Sequence, residues 1–466
     1  MAPSLNPRRG NVPGPRRGST EAQRAASDAT ARASLPAEPA TTRPRRARGR
    51  ELRSIARHGR LQRKPWMTFG KVVACVASVA VASVVGIGGV AAVNLVSDAK
   101  PSVHLVGHND VASVPDIGAI DGGVNILVAA SDTRSGQGDA WGTTEDSSGA
   151  GLNDVTMLVH LSQDHTHAVV VSFPRDLMTP IPKCPDGQGG WNSAMSFQPI
   201  NTTLSDGGLA CTVLTVEQIT GVDIPFAALV DFNGVVAMSN AVGGVPVCIT
   251  NGGIHDEHTD LDLPDGTSTL EGKEAAEFLR TRYGVGDGSD LGRISNTQVF
   301  LSSLVRTVLT KSTLTNPAKV WGLAKATLQN VHPSDTLNLT TLYQIAMAAK
   351  DLSFDNIVFV QYPVGTDADY PGKVVADQNS ADALTAAIKN DLPIQLTGGT
   401  GLGAVTSTDA PVPPAVTVDP NSSSGSSTSG TKSTPKPTKS AAPPAVLPED
   451  VTGQTAAAQT CSKGNN

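Results

Sequence analysis

The sequence predicts an α/β domain with a largely buried sheet, carried on a single membrane-spanning helix between two disordered tails. Short apolar runs alternate with helical patterns between residues 122 and 390, which is typical of helices layered on a sheet. One uncharged run of 22 residues precedes this region. Both ends of the 466-residue chain are polar and have little apolar periodicity, which is typical of segments without a packed core.

The first 70 residues form a basic arm. Residues 1–71 hold 15 Arg and 2 Lys against 4 acidic residues, a net of +13, which leaves −19 for the remainder of a chain whose formal charge is −6. Such an arm faces something anionic. Lipid headgroups are favoured over nucleic acid, because no aromatic side chains are interleaved with the cations. We therefore expect a disordered cytoplasmic arm over residues 1–70 and no nucleic-acid partner.

The uncharged run over residues 72–93 is rich in Val, Ala and Gly. As a helix it would extend about 33 Å, enough to cross a hydrocarbon core. A cleaved signal peptide is disfavoured, since its apolar region would be shorter and would not follow a long polar arm. Cations cluster from Arg57 to Lys71, so the positive-inside rule places the N-terminus in the cytoplasm and the domain outside. We predict a transmembrane helix over residues 71–95.

The cysteines agree with an external domain. Cys75 lies in the predicted span, and four others follow it: Cys184, Cys211, Cys248 and Cys461. Disulfides persist outside the cytoplasm, so at least one is expected among these four. Four cysteines allow three connectivities, and the sequence does not choose among them.

Strands and helices alternate across the domain over residues 122–390. Each predicted strand is a short apolar run between turn residues. The predicted strands are residues 124–130, 155–161, 168–173, 227–231, 245–249 and 356–361. The predicted helices are residues 212–220, 233–242, 270–277, 290–309 and 334–350. Ser, Thr, Pro and Gly dominate after residue 405, which predicts a disordered tail over residues 405–466.

Three arginines cluster after the third predicted helix. Residues 278–283 are FLRTRY, and if this segment is extended, Arg280 and Arg282 share one face. The next helix begins near Asp290, which places Arg293 in its first turn. A helix N-terminus beside guanidinium groups is a ready phosphate site. Composition alone favours surface ion pairs with the neighbouring aspartates instead.

A fourth arginine and two aspartates lie at predicted strand ends. Arg175 follows Pro174 at the end of a buried strand, where open α/β sheets place ligands. Asp132 follows the first strand, and Asp154 directly precedes the second. Two carboxylates in such positions can hold Mg²⁺. The alternative is that these residues make the hydrogen bonds of ordinary turns.

The histidines predict no metal site. His255 and His258 lie in a polar, glycine-flanked loop, where a solvated turn is favoured over zinc binding. His165 and His167 lie in a second turn and are interpreted in the same way. No Ser or Cys has the sequence context of a nucleophile, and the external cysteines are better explained as disulfides.

The quoted segments, in this order, resemble the LytR-CpsA-Psr family. The matching motifs are residues 125–134, 154–161, 172–177 (SFPRDL), 215–221 (TVEQITG), 242–245 (VGGV), 280–283 (RTRY) and 287–293 (DGSDLGR). They cover a motif core over residues 122–310, and the last two are the most specific. The resemblance implies a three-layer α/β/α sandwich with a central mixed sheet and an apolar tunnel for a polyprenyl chain.

The resemblance also implies an activity. A membrane-bound phosphotransferase outside the cell would move a glycopolymer, as a glycosyl phosphate, from a polyprenyl pyrophosphate carrier to peptidoglycan. The alternatives are a module that binds lipid-linked polymer without transferring it, and a polyprenyl pyrophosphatase. Phosphoryl transfer asks the protein mainly for positioning and charge neutralisation, so no protein nucleophile is needed.

Residue roles follow from the same resemblance. The implied catalytic residues are Arg175, Arg280, Arg282 and Arg293. The implied ligands of Mg²⁺ or Mn²⁺ are Asp132 and Asp154. The implied substrate-binding residues are Arg134, Asp290 and Gln298.

Two positions depart from the family pattern. Many members carry Arg two residues before the second aspartate, where this chain has Leu152. Many carry Gln four residues after the last arginine, where this chain has Thr297, followed by Gln298. On a helix, Thr297 shares a face with Arg293 and Gln298 does not. Fewer groups are therefore expected to share the phosphate charge.

Overall fold

A seven-stranded mixed sheet organises the part of the chain that the structure describes. The computed structural model describes residues 100–106, 123–135, 137, 141, 147, 151–310, 313, 316–407 and 443–465. The predicted basic arm (1–70) and transmembrane helix (71–95) lie outside these ranges. None of the helices in the described residues has both the length and the apolarity to cross a membrane.

Strands and helices are numbered in chain order within the described residues. The strands are β1 (Val124–Ser131), β2 (Asn153–Leu161), β3 (Ala168–Phe173), β4 (Met178–Ile181), β5 (Cys184–Pro185), β6 (Trp191–Asn192), β7 (Met195–Pro199), β8 (Phe226–Val230), β9 (Val245–Thr250), β10 (Ile254–Asp256), β11 (Leu261–Leu263), β12 (Gly266–Leu270), β13 (Val331–Pro333), β14 (Ile357–Gln361), β15 (Val364–Thr366), β16 (Val374–Ala376), β17 (Ile394–Gln395), β18 (Ala404–Thr406), β19 (Ala445–Val446), β20 (Gly453–Thr455) and β21 (Thr460–Lys463). The α-helices are α1 (Thr203–Thr220), α2 (Phe232–Val242), α3 (Lys273–Arg280), α4 (Asp290–Val308), α5 (Pro317–Asn330), α6 (Leu339–Ala349) and α7 (Gln378–Lys389).

The central sheet has the strand order β13-β8-β1-β2-β3-β14-β20. Strand β1 pairs with β8 in parallel, and β3 pairs with β14 in parallel. The β1–β2 and β2–β3 pairs are antiparallel. The predicted α/β fold with a mixed central sheet is therefore confirmed.

Helices cover both faces of this sheet. All six residues of β3 are buried, because successive side chains point into two different cores. Val171 and Phe173 belong to the core that also contains residues of α1 and α7. Ala168 and Val170 belong to the core on the other face, against which residues of α4 and α6 pack. The described residues thus form three layers, with the sheet in the middle.

Two helices differ in their bounds from the prediction for physical reasons. The predicted helix over 270–277 is found at Lys273–Arg280, because Leu270 instead pairs with Val245 at the end of β12. The predicted helix over 334–350 begins only at Leu339. Its Ser334 is held by the sheet, since the Ser334 N–H donates to the Ala227 carbonyl at 2.7 Å.

Residues 443–465 form part of the domain, so the prediction of a disordered tail over 405–466 is wrong for this stretch. Strand β20 pairs with β14 at one edge of the central sheet, and β21 pairs with β9 in a four-stranded sheet. Leu447, Val451 and Ala456 are buried. The Ser, Thr, Pro and Gly bias ends near residue 442, and the apolar residues that follow complete both sheets.

Two disulfides join the four cysteines of the described residues. Cys184 of β5 pairs with Cys211 of α1, with their Cα atoms 5.1 Å apart. Cys248 of β9 pairs with Cys461 of β21, with their Cα atoms 4.4 Å apart. The two partners of the second disulfide stand opposite each other in the parallel β9–β21 ladder. Because they are 213 residues apart in sequence, their bond restricts the unfolded chain strongly.

Candidate active site

Arg175 lies directly beyond the end of β3, where Pro174 ends the strand. Its Nη1 donates to Asp154 Oδ1 at 2.8 Å, and its backbone N–H donates to Asp290 Oδ2 at 3.1 Å. Burial alone would lower the pKa of Arg175, but Asp154, Asp290 and Asp176 outweigh it and raise the pKa. Arg175 is therefore a fixed cation at the end of a buried strand.

Arg293 lies in the first turn of α4, as the sequence predicts. The helix is capped by Ser289, whose Oγ accepts from the Gly292 N–H at 3.2 Å. Arg293 Nη2 lies 2.6 Å from Asp290 Oδ1 and donates to the Asp154 carbonyl oxygen at 2.7 Å. Its Nη1 lies 3.8 Å from Asp154 Oδ2. The buried guanidinium thus joins the helix start to the start of β2.

Arg280 is the last residue of α3, so the condition under which Arg280 and Arg282 would share one face, an extended 278–283 segment, is not met. The Thr281 N–H donates to the Glu277 carbonyl at 2.8 Å and continues the helical pattern to this point. The guanidinium carbon of Arg280 lies 4.7 Å from the ring centroid of Phe232 and 5.7 Å from that of Trp141. These contacts are cation–π interactions, which position the charge before a ligand binds.

Arg282 does not share the face of a strand with Arg280. Among the described residues, its Nη2 donates to Tyr283 Oη at 2.6 Å, and its guanidinium carbon lies 4.8 Å from the Tyr283 ring centroid. Its backbone N–H donates to Asp256 Oδ2 at 3.2 Å. The catalytic role that the resemblance implies for Arg282 stays a prediction.

Several charged side chains lie within electrostatic reach of Arg280. Burial lowers the pKa of Arg280, and the positive charge of Arg134 lowers it further. Asp154, Glu277 and Asp132 oppose this shift, so the predicted residues Arg134, Asp132 and Asp154 all lie within electrostatic reach of Arg280. Two guanidinium groups in a partly buried place are stabilised by a phosphate, which accepts bidentate hydrogen bonds from each.

Asp132 is held by its own loop. Its Oδ1 accepts from the Leu152 N–H at 2.6 Å and from Ser147 Oγ at 3.1 Å. Gly151 has a φ of +69°, and a Cβ at this position would lie 2.6 Å from Asp132 Oδ1. The backbone therefore passes the carboxylate at a distance that only glycine permits.

Substituting Gly151 by alanine is expected to destabilise the domain by about 1–3 kcal/mol and to move Asp132, because the new methyl group meets its carboxylate. The matched control is Gly187→Ala, since Gly187 has a φ of +71° and a Cβ added there would meet nothing within 4 Å. Comparing the melting temperatures of the two variants separates the strain of a positive φ from the steric clash with Asp132. Equal losses of melting temperature would show that the clash with Asp132 contributes nothing.

Thr297, and not Gln298, faces the arginines. Thr297 lines a small cavity together with Asp154, Asp290 and Arg293. Gln298 is 1% exposed and is not among the described residues that line this cavity. The helical spacing from Arg293 predicts this difference. The structure therefore does not place Gln298 with the other predicted substrate-binding residues, and the family's Gln position is filled by a shorter hydroxyl side chain.

The aromatic partners of Arg280 are residues of this site that the sequence does not reveal. Phe232 begins α2, and Trp141 lies in the connection between β1 and β2. Trp141 Nε1 donates to Asn233 Oδ1 at 3.1 Å, which fixes the indole beside α2. No spacing rule relates these positions to Arg280, since the contact depends on how α2 and α3 pack.

These residues define a class of protein: an α/β domain in which arginines and aspartates gather at strand ends and at a helix N-terminus. The family model described as the LytR_cpsA_psr family matches residues 92–390, so the chain belongs to the LytR-CpsA-Psr family.

Curated relatives agree with this membership. The chain is 30% identical over 346 residues to "Cell wall biosynthesis protein LcpA" of Corynebacterium glutamicum, across 68% of this chain and 64% of that protein. It is 28% identical over 273 residues to "Probable cell wall biosynthesis protein LcpB" of the same organism, across 57% and 61%. The match thus spans slightly less than two thirds of the length of either relative.

A third relative has a more explicit name. The chain is 27% identical over 263 residues to "Polyisoprenyl-teichoic acid--peptidoglycan teichoic acid transferase TagT" of Bacillus subtilis. The alignment covers 55% of this chain and 74% of that protein.

Proposed function

We propose that this chain transfers a glycopolymer, as a glycosyl phosphate, from a polyprenyl pyrophosphate carrier to peptidoglycan. The observation that carries the proposal is the gathering of arginines at this end of the sheet: Arg175 and Arg293 both lie against Asp154, and Arg280 lies within electrostatic reach of Arg134 and Asp154. Two linked phosphates would bind these guanidinium groups through charge-assisted hydrogen bonds. The name of the Bacillus subtilis relative supports the same donor and acceptor.

The reaction asks little covalent chemistry of the protein. An acceptor hydroxyl oxygen forms a bond to the polymer-linked phosphorus, and the bond from that phosphorus to the bridging oxygen breaks. Polyprenyl phosphate leaves, and the hydroxyl proton passes to water. Arg175 and Arg293 are held by Asp154 and Asp290, so they meet the developing charge without reorganisation.

Mg²⁺ or Mn²⁺ is part of this proposal, with Asp132 and Asp154 as ligands. The support for this assignment is donor chemistry, since carboxylates supply the oxygen ligands that such hard cations prefer, and Asp132 and Asp154 both lie within electrostatic reach of Arg280. The ion would neutralise phosphate charge when bound. Asp154 also forms an ion pair with Arg175, so Asp132 is the carboxylate that makes fewer contacts with positively charged side chains.

We expect Asp132→Asn to raise the Mg²⁺ concentration for half-maximal transfer by at least about tenfold, because it removes an anionic ligand. The amide oxygen can still accept from the Leu152 N–H and from Ser147, so the loop keeps its shape. Ser147→Ala, which removes one of these hydrogen bonds and keeps the charge, is the control. An unchanged Mg²⁺ requirement in Asp132→Asn would remove this residue from the metal site.

The proposed location is the outer face of a membrane, with the basic arm inside. The uncharged run over 72–93 and the +13 arm support this. The disulfides Cys184–Cys211 and Cys248–Cys461 support an oxidising compartment.

The apolar tunnel for the carrier belongs to the same proposal and stays a prediction. A cavity of about 460 Å³, lined in part by Val247 and Val299, lies between β9 and α4.

The deciding experiment uses the full-length chain in detergent with a polyprenyl-pyrophosphate-linked polymer and peptidoglycan. Transfer produces polymer bound to peptidoglycan and polyprenyl phosphate in equal amounts. Retention of the donor without either product would indicate a binding module. Release of polymer phosphate into solution, independent of peptidoglycan, would indicate a pyrophosphatase.

A further inference from the structure

A second cluster of reactive side chains lies at the end of β2 and β3 opposite to the arginines. His160 lies near the end of β2, His167 directly precedes β3, and Asp391 follows α7. One ligand atom from each of these residues lies within 4.8 Å of the others, and the described residues contain no other such group of three. Since β3 extends about 3.3 Å per residue, about 20 Å separates this cluster from Arg175.

Neighbouring hydrogen bonds determine which nitrogen of His160 carries the proton. Asn125 Nδ2 donates to the Asp223 carbonyl at 2.8 Å, so Asn125 Oδ1 faces His160 Nδ1, also at 2.8 Å. An amide oxygen can only accept, so Nδ1 is protonated. The lone pair of His160 Nε2 then faces Asp391 Oδ1 at 3.1 Å. Two acceptors at this distance require a proton or a metal ion between them.

His167 is protonated on Nδ1 for a similar reason. Thr166 Oγ1 donates to Asp164 Oδ1 at 2.7 Å, so this hydroxyl accepts from His167 Nδ1 at 3.2 Å. His167 Nε2 is left with a lone pair and has no hydrogen-bond partner among the described residues, although the residue is only 6% exposed. A buried acceptor of this kind is costly unless it binds something.

A single proton between His160 and Asp391 would leave the buried Nε2 of His167 without a partner, whereas one metal ion can contact all three groups. Burial lowers the pKa of His160 and of His167, and Asp391 partly opposes this. Neutral imidazole with a free Nε2 is the form that binds metal ions.

We propose that His160, His167 and Asp391 bind Zn²⁺ through the two Nε2 atoms and a carboxylate oxygen, with solvent completing the coordination. The 3.1 Å between His160 Nε2 and Asp391 Oδ1 is close to the edge of about 3.3 Å in a tetrahedral zinc site. The side chain of Asp391 is 25% exposed, so water reaches the ion. Two imidazoles favour zinc over Mg²⁺, which prefers an all-oxygen shell.

Neighbouring groups hold the three proposed ligands in place. The Gln163 N–H lies 3.2 and 3.1 Å from the two oxygens of Asp391 and orients the carboxylate. Asn125 and Thr166 orient the imidazole rings of His160 and His167, as hydrogen-bond partners of metal-bound histidines usually do. The ion would fasten the end of α7 to the β2–β3 turn, so the expected role is structural. The site is independent of the proposed transferase activity.

The test is a zinc titration of the full-length chain in detergent after treatment with a chelator. Calorimetry and metal analysis should give one Zn²⁺ per chain for the wild type, with a rise in melting temperature on binding. Asp391→Asn and His167→Gln should each weaken zinc binding by at least about 100-fold. Asparagine suits the φ of +54° at position 391.

The control is His255→Ala, which disrupts the exposed pair of His255 with Asp262. It should bind zinc and gain melting temperature as the wild type does. Failure of the wild type to bind zinc would overturn the proposal. Wild-type affinity in either ligand variant would overturn it as well, and loss of binding in His255→Ala would place the metal elsewhere. If one ligand variant does not fold, the zinc affinity of the other variant and the wild-type titration together test the proposal.

Discussion

Replacing Arg280 by alanine is expected to lower the rate of glycopolymer transfer by at least about 100-fold, comparable with the loss of one preorganised charge stabiliser. The guanidinium lies over Phe232 and Trp141, so its position does not depend on the substrate. Without it, phosphate charge remains uncompensated in a partly buried site. Leu152 and Thr297 replace groups that share this charge in many relatives, so each remaining arginine should matter more.

Lys273→Ala is the matched control for Arg280→Ala. Lys273 begins the same helix, its side chain is 52% exposed, and it pairs with Glu277. Lys273 is half-exposed, and Glu277 still has the charge of Arg280 nearby, so the rate of the variant should stay close to that of the wild type. Arg280→Lys should recover only part of the rate, since lysine keeps the charge and loses the planar fork. Full transfer and full donor binding by Arg280→Ala would show that the phosphate site lies elsewhere.

Removing residues 443–466 is expected to prevent the domain from folding. The deletion takes away β20, β21 and the buried side chains of Leu447 and Val451. It also removes Cys461, the disulfide partner of Cys248. Burial of each large side chain contributes about 1.5–3 kcal/mol, and a native disulfide about 2–5 kcal/mol. Together these losses are comparable with the whole stability of a domain, about 5–15 kcal/mol.

Thermal unfolding followed by near-ultraviolet circular dichroism measures this effect, with an internal deletion of residues 415–435 as the control. The control keeps β20, β21 and both disulfides. Its melting temperature should change little, because loop-closure entropy depends only weakly on loop length. A cooperative transition at the wild-type temperature in the truncated chain would contradict the structural role of the C-terminal strands.

Local sequence determined the parts of the site that one element can specify. Ser289 caps α4 and places Arg293 in the first turn, and Pro174 ends β3 beside Arg175. These features depend on backbone geometry within a few residues. Arg280 shows the limit of such reasoning. Its helix begins and ends three residues later than predicted. The start is later because Leu270 belongs to β12, and the sequence of the helical segment does not specify pairing between strands.

By itself, the sequence determined the alternation of strands and helices, the charge asymmetry and the order of the family motifs, because each depends on neighbours along the chain. Only the tertiary structure decided the disulfide pairing, the place of β20 and β21, and the meeting of His160 with Asp391. Cys248 and Cys461 are 213 residues apart, and His160 and Asp391 are 231 apart. Periodicity reveals which face of an element is buried, but the identity of the partner across that face is set by packing of the whole domain.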